Sequence, residues 1–159
     1  MFEEAHPEVP ADDPTRRLAV LLGAAGLAPF AVLSLWLAGL PLDHEWRSAT
    51  MLLLTGYGAV ILSFLGGTRW GLAVARRGAE ARRDIAISVV PPLLGWVALV
   101  LPPYLAFVLL AVAFAAQGAW DALAGQSGTL PLWFVRLRSQ LTVVVVIAMV
   151  IAFGATAAG

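Results

Sequence analysis

Residues 48–68 contain no charged side chain, and the segment reads SATMLLLTGYGAVILSFLGGT. A stretch of that length and apolarity is long enough to cross a bilayer. Inside lipid every backbone N–H and C=O needs an internal partner, so such a stretch must be helical or part of a closed barrel. The pattern recurs. Residues 18–42, 85–120 and 139–159 are likewise free of charge. The whole chain is 60% hydrophobic and 13% charged, against about 45–50% and about 25% in soluble domains. These runs lack the strict alternation of a barrel strand, so they predict an all-α membrane protein.

The individual helices follow from where charge and proline interrupt the runs. Residues 1–15 are acidic and proline-containing and predict a disordered N-terminal tail. Arg16 and Arg17 then precede an apolar run too long for a signal-peptide core. It reads as an uncleaved first span over about residues 17–40, kinked at Pro29. A second span covers about residues 49–75. Residues 85–120 as one helix would extend roughly 54 Å at about 1.5 Å per residue, too far for a hydrocarbon core of about 30 Å. Pro102-Pro103 divides them into spans over about residues 85–101 and 104–123, the first bent by Pro91-Pro92. A loop with a short interfacial piece, residues 130–135, leads to a fifth span over about residues 139–155. The domain assignment is therefore a tail, residues 1–15, and a bundle of five transmembrane helices, residues 16–159.

The charges orient this bundle. Five spans place Arg16, Arg17, Arg76, Arg77, Arg82, Arg83, Arg136 and Arg138 on one side and only Arg47 on the other. Arginine accumulates on the cytoplasmic side of membrane proteins. The N-terminus is therefore expected in the cytoplasm and the C-terminus on the outer side. The membrane would be a bacterial inner membrane, or the mitochondrial inner membrane in a eukaryote. Arg76, Arg77, Arg82 and Arg83 are candidate contacts for anionic lipid.

The second span carries the main features of interest. Ala59, Ser63, Gly67 and Gly71 recur every fourth residue, a stripe of small side chains that lets another helix approach closely. On a different face Arg69 aligns with Gly58, Leu62, Leu65 and Gly66. A charge within a span costs about 2.5–3.5 kcal/mol on insertion scales and is usually paired or faces a cavity. Asp121 and Gln117, on the fourth span, fall at a similar depth. Arg69, Gln117 and Asp121 are thus a candidate intramembrane polar cluster, either a clasp between helices or a small pocket open to the cytoplasm.

No arrangement of residues suggests catalysis. There is no GxSxG, phosphate-binding loop or HExxH, and the two histidines, His6 and His44, lie outside the spans. The expectation is a protein with no cofactor, no metal and no enzymatic activity. Net charge is zero and the chain has no cysteine, so nothing favours nucleic acid, and thiol chemistry is excluded. The partners expected are the lipid bilayer and another membrane protein or a second copy of the chain. The leading function is a small accessory, scaffold or assembly factor. The alternative is a small transporter or channel using the Arg69/Gln117/Asp121 pocket, with the bent third span in support.

Two blocks resemble an uncharacterised membrane family, domain of unknown function 3429, the group that includes transmembrane protein 69 of animals. The first is Gly56-Tyr57-Gly58-Ala59-Val60-Ile61-Leu62-Ser63-Phe64-Leu65-Gly66-Gly67 followed by Arg69-Trp70-Gly71. The second comprises Gln117 with Asp121, Pro131-Leu132-Trp133-Phe134, Leu137-Arg138 and Leu141-Thr142. The resemblance implies a five-helix integral membrane protein and supplies no activity.

Overall fold

The computed structural model describes residues 13–76, 78–126 and 131–157. Among the described residues six helices follow one another: α1 (Pro14–Gly39), α2 (Trp46–Val74), α3 (Ala79–Ser88), α4 (Val90–Val100), α5 (Pro103–Gln126) and α6 (Leu132–Ala157). α3 and α4 together form one apolar span, Ala79–Val100, so five segments are long and apolar enough to cross a membrane. All five spans expected from the sequence are present.

Their ends differ from expectation in a consistent direction: the helices are longer, and they absorb charged residues assigned to loops. α1 starts at Pro14, because the Asp13 carboxylate accepts from the backbone N–H of Thr15 and Arg16 at 2.8 and 3.1 Å. That is an N-cap, satisfying donors with no partner inside the helix. Pro14 and Thr15 therefore belong to the first helix; residues 1–12 of the expected tail lie outside the described residues. α1 continues through Pro29. α2 begins at Trp46 and so contains Arg47. Part of the expected basic loop is helical, since α3 starts at Ala79. α6 begins at Leu132, where the Pro131 carbonyl accepts from Phe134 and Val135 N–H. Residues 132–135 of the segment expected to lie along the interface, with Arg136 and Arg138 after them, are thus the first turns of the last span, while Leu130 lies outside the described residues.

The third span breaks where its prolines require. Pro91 and Pro92 carry no N–H to offer the carbonyls of Ile87 and Ser88, four residues earlier. α3 accordingly ends at Ser88, and α4 begins at Val90 after a single linking residue, Val89.

α5 packs most extensively on α6, α2 on α4, and α1 on α6, while α2 also touches α1, α3 and α5. Two helices are central. In the most apolar window of α2 and of α5, 44% of residues are buried, against 11% for α1 and 22% for the third and last spans. Lipid is as apolar as the interior, so association rests on close packing and internal polar contacts rather than on expulsion of water. Phe30 shows this packing, standing edge-on to Tyr57 and to Phe114 at centroid distances of 4.9 and 5.7 Å. The Tyr57 hydroxyl donates to the Gly26 carbonyl at 2.9 Å, linking α2 to α1. Leu35, Trp36, Phe64, Trp96 and Val100 are exposed and offer the bundle's outer surface to acyl chains.

Arg47, read from the sequence as the lone arginine of an outer loop, is instead only 9% exposed. Its guanidinium donates to the carbonyls of Leu37 and Leu40 at 3.4 and 3.1 Å and to that of Ala155. The last carbonyls of a helix lack intrahelical donors and carry partial negative charge. One cation thus caps the ends of both α1 and α6. Arg47→Met retains the stem and removes the donors. It is expected to lower stability by about 1.5–3 kcal/mol, the range for hydrogen bonds to a charged group, read from unfolding of the purified protein in mild detergent.

Candidate functional site: a buried arginine–aspartate–arginine cluster

Near the opposite end of the bundle α2, α5 and α6 bring three charges together. Asp121, on α5, is 4% exposed and Arg69, on α2, is 8% exposed. Arg69 donates from Nε and Nη2 to Asp121 Oδ1 at 3.0 and 2.5 Å. Arg138, on α6, donates from Nε and Nη2 to Oδ2 at 2.9 and 2.8 Å. Each carboxylate oxygen is gripped by the Nε–Nη2 edge of a different guanidinium. Trp120 lies against Arg69, its ring centroid 4.3 Å from Cζ. An aromatic face at that distance stabilises a cation in surroundings that hydrate it poorly.

The helices dictate this meeting. α2 and α5 are central and antiparallel to their chain neighbours, so positions late in both fall at similar depth. The hairpin of α5 and α6 then returns Arg138 to the level of Asp121 although 17 residues separate them. Close approach of this hairpin depends on Gly118, where an added Cβ would sit 2.8 Å from Thr142 Oγ1 and Cγ2. Two guanidiniums and one carboxylate leave the cluster with one net positive charge.

Arg69 and Asp121, singled out from the sequence, therefore make direct contact. Gln117, the third member, is buried a turn before Asp121 at 3% exposure, and its Nε2 has no hydrogen-bond partner among the described residues. Arg138 was not anticipated as a member. The sequence places it among the loop charges that orient the protein, although it directly adjoins the uncharged run of the last span and falls in the same resemblance block as Gln117 and Asp121. A second arginine–aromatic contact lies near this end, with Arg16 Cζ 5.7 Å from the Trp133 ring.

The small-residue stripe divides. Ala59 is buried against α4, where a Cβ on Gly95 would come within 2.9 Å of the Ala59 Cα. Ser63, Gly67 and Gly71 are exposed, and nothing lies within 4 Å of a Cβ added at either glycine. Within the chain the tight approach below Ala59 is made instead by Gly66, one position aside. A Cβ there would sit 2.5 Å from the Ser88 carbonyl oxygen and 2.7 Å from Pro92 Cδ. The reason is the break in the third span: the carbonyl that Pro92 cannot satisfy needs space beside α2, and glycine provides it. Arg76, Arg82 and Arg83 are exposed around the α2–α3 turn, Arg76 facing Asp84 at 3.7 Å. Arg77 lies outside the described residues.

Residues 15–154 match the model of a family described as Protein of unknown function (DUF3429). The chain is a member of the DUF3429 family. Among curated proteins it is 36% identical over 135 residues to Transmembrane protein 69 of Xenopus tropicalis, an alignment covering 83% of this chain and 52% of that protein. The chain thus spans about half the length of that relative. No solved structure matches. The DUF3429 match encloses Arg47, Arg69, Asp121 and Arg138, so both the helix-end cap and the buried cluster belong to the family region of the chain.

Proposed function

We propose that this DUF3429 protein is a non-enzymatic accessory, scaffold or assembly factor of a bacterial inner membrane, or of the mitochondrial inner membrane in a eukaryote, with its arginine-rich end inward. The observation that carries this reading is the lower outer face of α2. Ser63, Gly67 and Gly71 form a shallow, exposed surface that the chain's own helices leave uncovered. Small residues of this kind let the helix of another membrane protein, or of a second copy, approach closely. The buried cluster supports the same reading. Both Asp121 oxygens are engaged by arginine forks, which suits a clasp better than an acid–base role.

Affinity purification of the tagged protein in mild detergent, followed by mass spectrometry, tests it. The expected result is a stoichiometric membrane-protein partner or a defined oligomer that is lost from Gly67→Leu/Gly71→Leu while the unfolding temperature is kept. A lone chain with no partner would count against it. One observation favours transport instead: Gln117 Nε2, without a hydrogen-bond partner among the described residues, beside a net-positive cluster. Anion flux in proteoliposomes, abolished in Gln117→Leu, would favour that second reading.

A further inference from the structure

At the turn between α2 and α3 the chain forms an open groove of about 430 Å³, lined by Val74, Arg76, Gly78, Ala81, Arg82 and Ile85. We infer that this groove is a binding site for the phosphate of an anionic phospholipid, held by Arg76 and Arg82 while the first acyl carbons lie on Val74 and Ile85.

Three independent features converge here. The first is depth. Val74 is the last residue of α2, and Ile85 begins the uncharged part of the third span. A groove bounded by the ends of two spans sits at the level of the headgroups. The second is charge. Arg82 is exposed and has no ion pair among the described residues. Arg76 faces Asp84 at 3.7 Å, a distance that leaves its guanidinium able to take a closer anion. Glu80, the other acidic side chain of this turn, is exposed and does not line the groove. The third is backbone polarity. Gly78, at φ +112°, turns the chain sharply into α3, and no side chain caps that helix. The first N–H groups of a helix have no intrahelical acceptor, so α3 adds donors at the rim of a groove that already carries two arginines.

The apolar walls select the source of the phosphate. A free anion gains nothing from Val74, Ala81 and Ile85, whereas a lipid continues from headgroup to glycerol to acyl chain across the same polarity step. Arginine near an anionic membrane surface is worth about a fivefold preference per residue. A defined site differs from such diffuse attraction in requiring the groove itself.

Native mass spectrometry of the full-length protein in mild detergent, with phosphatidylglycerol or phosphatidylcholine of matched chains added, tests this. Wild type is expected to retain phosphatidylglycerol preferentially. Arg76→Gln/Arg82→Gln should lower that retention by about tenfold or more. Ile85→Trp, which fills the groove and keeps both arginines, should lower it comparably, while Arg83→Gln, exposed but outside the lining, should leave it nearly unchanged. Unfolding temperatures of all variants near that of wild type identify the losses as local. Equal retention by wild type and Arg76→Gln/Arg82→Gln would overturn the site. So would equal losses from Arg83→Gln and Arg82→Gln, which would reduce the effect to general charge. Displacement of the lipid by millimolar inorganic phosphate would overturn the lipid as occupant.

Discussion

Asp121→Ala is expected to destabilise the bundle by about 3–5 kcal/mol, the cost of removing one partner of a buried ion pair, and to be the most damaging single change in the cluster. Among the described residues Asp121 is the only acid in contact with two arginines, and its loss strands both. Arg69 has 9% of its side chain exposed and Arg138 has 15%, so neither can fully recover hydration. Arg138→Ala should be milder by at least about 1 kcal/mol. It leaves Asp121 paired with Arg69 and removes the more exposed of the two cations. Arg69→Ala should fall between them, because it also loses the contact with Trp120. Denaturant or thermal unfolding in mild detergent reads this order directly. A cluster that merely lined a hydrated cavity would show no such ranking, since water would solvate whichever charge remained.

Two adjacent glycines should behave in opposite ways. Gly66→Ala places a methyl group 2.5 Å from the Ser88 carbonyl oxygen and 2.7 Å from Pro92 Cδ. The first of these is backbone, held by the helix break, and the second is a closed ring, so neither can swing aside as a flexible side chain would. Overpacking usually costs about 1–3 kcal/mol, and this substitution should reach or exceed the top of that range. It forces α2 away from the third span along their whole contact. Gly67→Ala meets nothing within 4 Å and gains up to about 1 kcal/mol of helix preference. It should leave the unfolding temperature unchanged or slightly raised. The contrast separates helix packing inside the chain from the outward face proposed to meet a partner, because only Gly66 carries the former.

The existence of five spans was legible because uncharged runs of that length have few alternatives in lipid. Their ends were less so. The sequence places Arg47, Arg82, Arg83, Arg136 and Arg138 in loops, yet α2, α3 and α6 include them. A charged side chain near a span's end is compatible with a loop or with a last helical turn, and composition does not distinguish the two. The difference depends on local hydrogen bonds such as the Asp13 cap and the Pro131 carbonyl. That ambiguity hid half of the polar design. Arg69 and Asp121 could be matched by depth, because each is the one charge in the span expected from the sequence. Arg138 could not, since its contact with Asp121 exists only if α6 begins well before the uncharged run. The same holds for Arg47 at the other end, whose acceptors are carbonyls that any sequence supplies. The stripe illustrates a different limit. Spacing by four identifies a face that permits close approach but not which neighbour takes it. The choice of Gly66 over Gly67 was made by a carbonyl freed by Pro92, on another span.

Arg69, Asp121 and Arg138 act as one unit fastening α2, α5 and α6. The most direct test is the stability of Asp121→Leu beside that of Arg69→Met/Asp121→Leu/Arg138→Met. If the three charges form a closed unit, the single variant is severely destabilised. The triple variant should then return to within about 1–2 kcal/mol of wild type or surpass it, because buried charges replaced together by apolar groups of similar volume leave nothing unpaired. A triple variant as unstable as the single one, or a single variant as stable as wild type, would contradict the clasp.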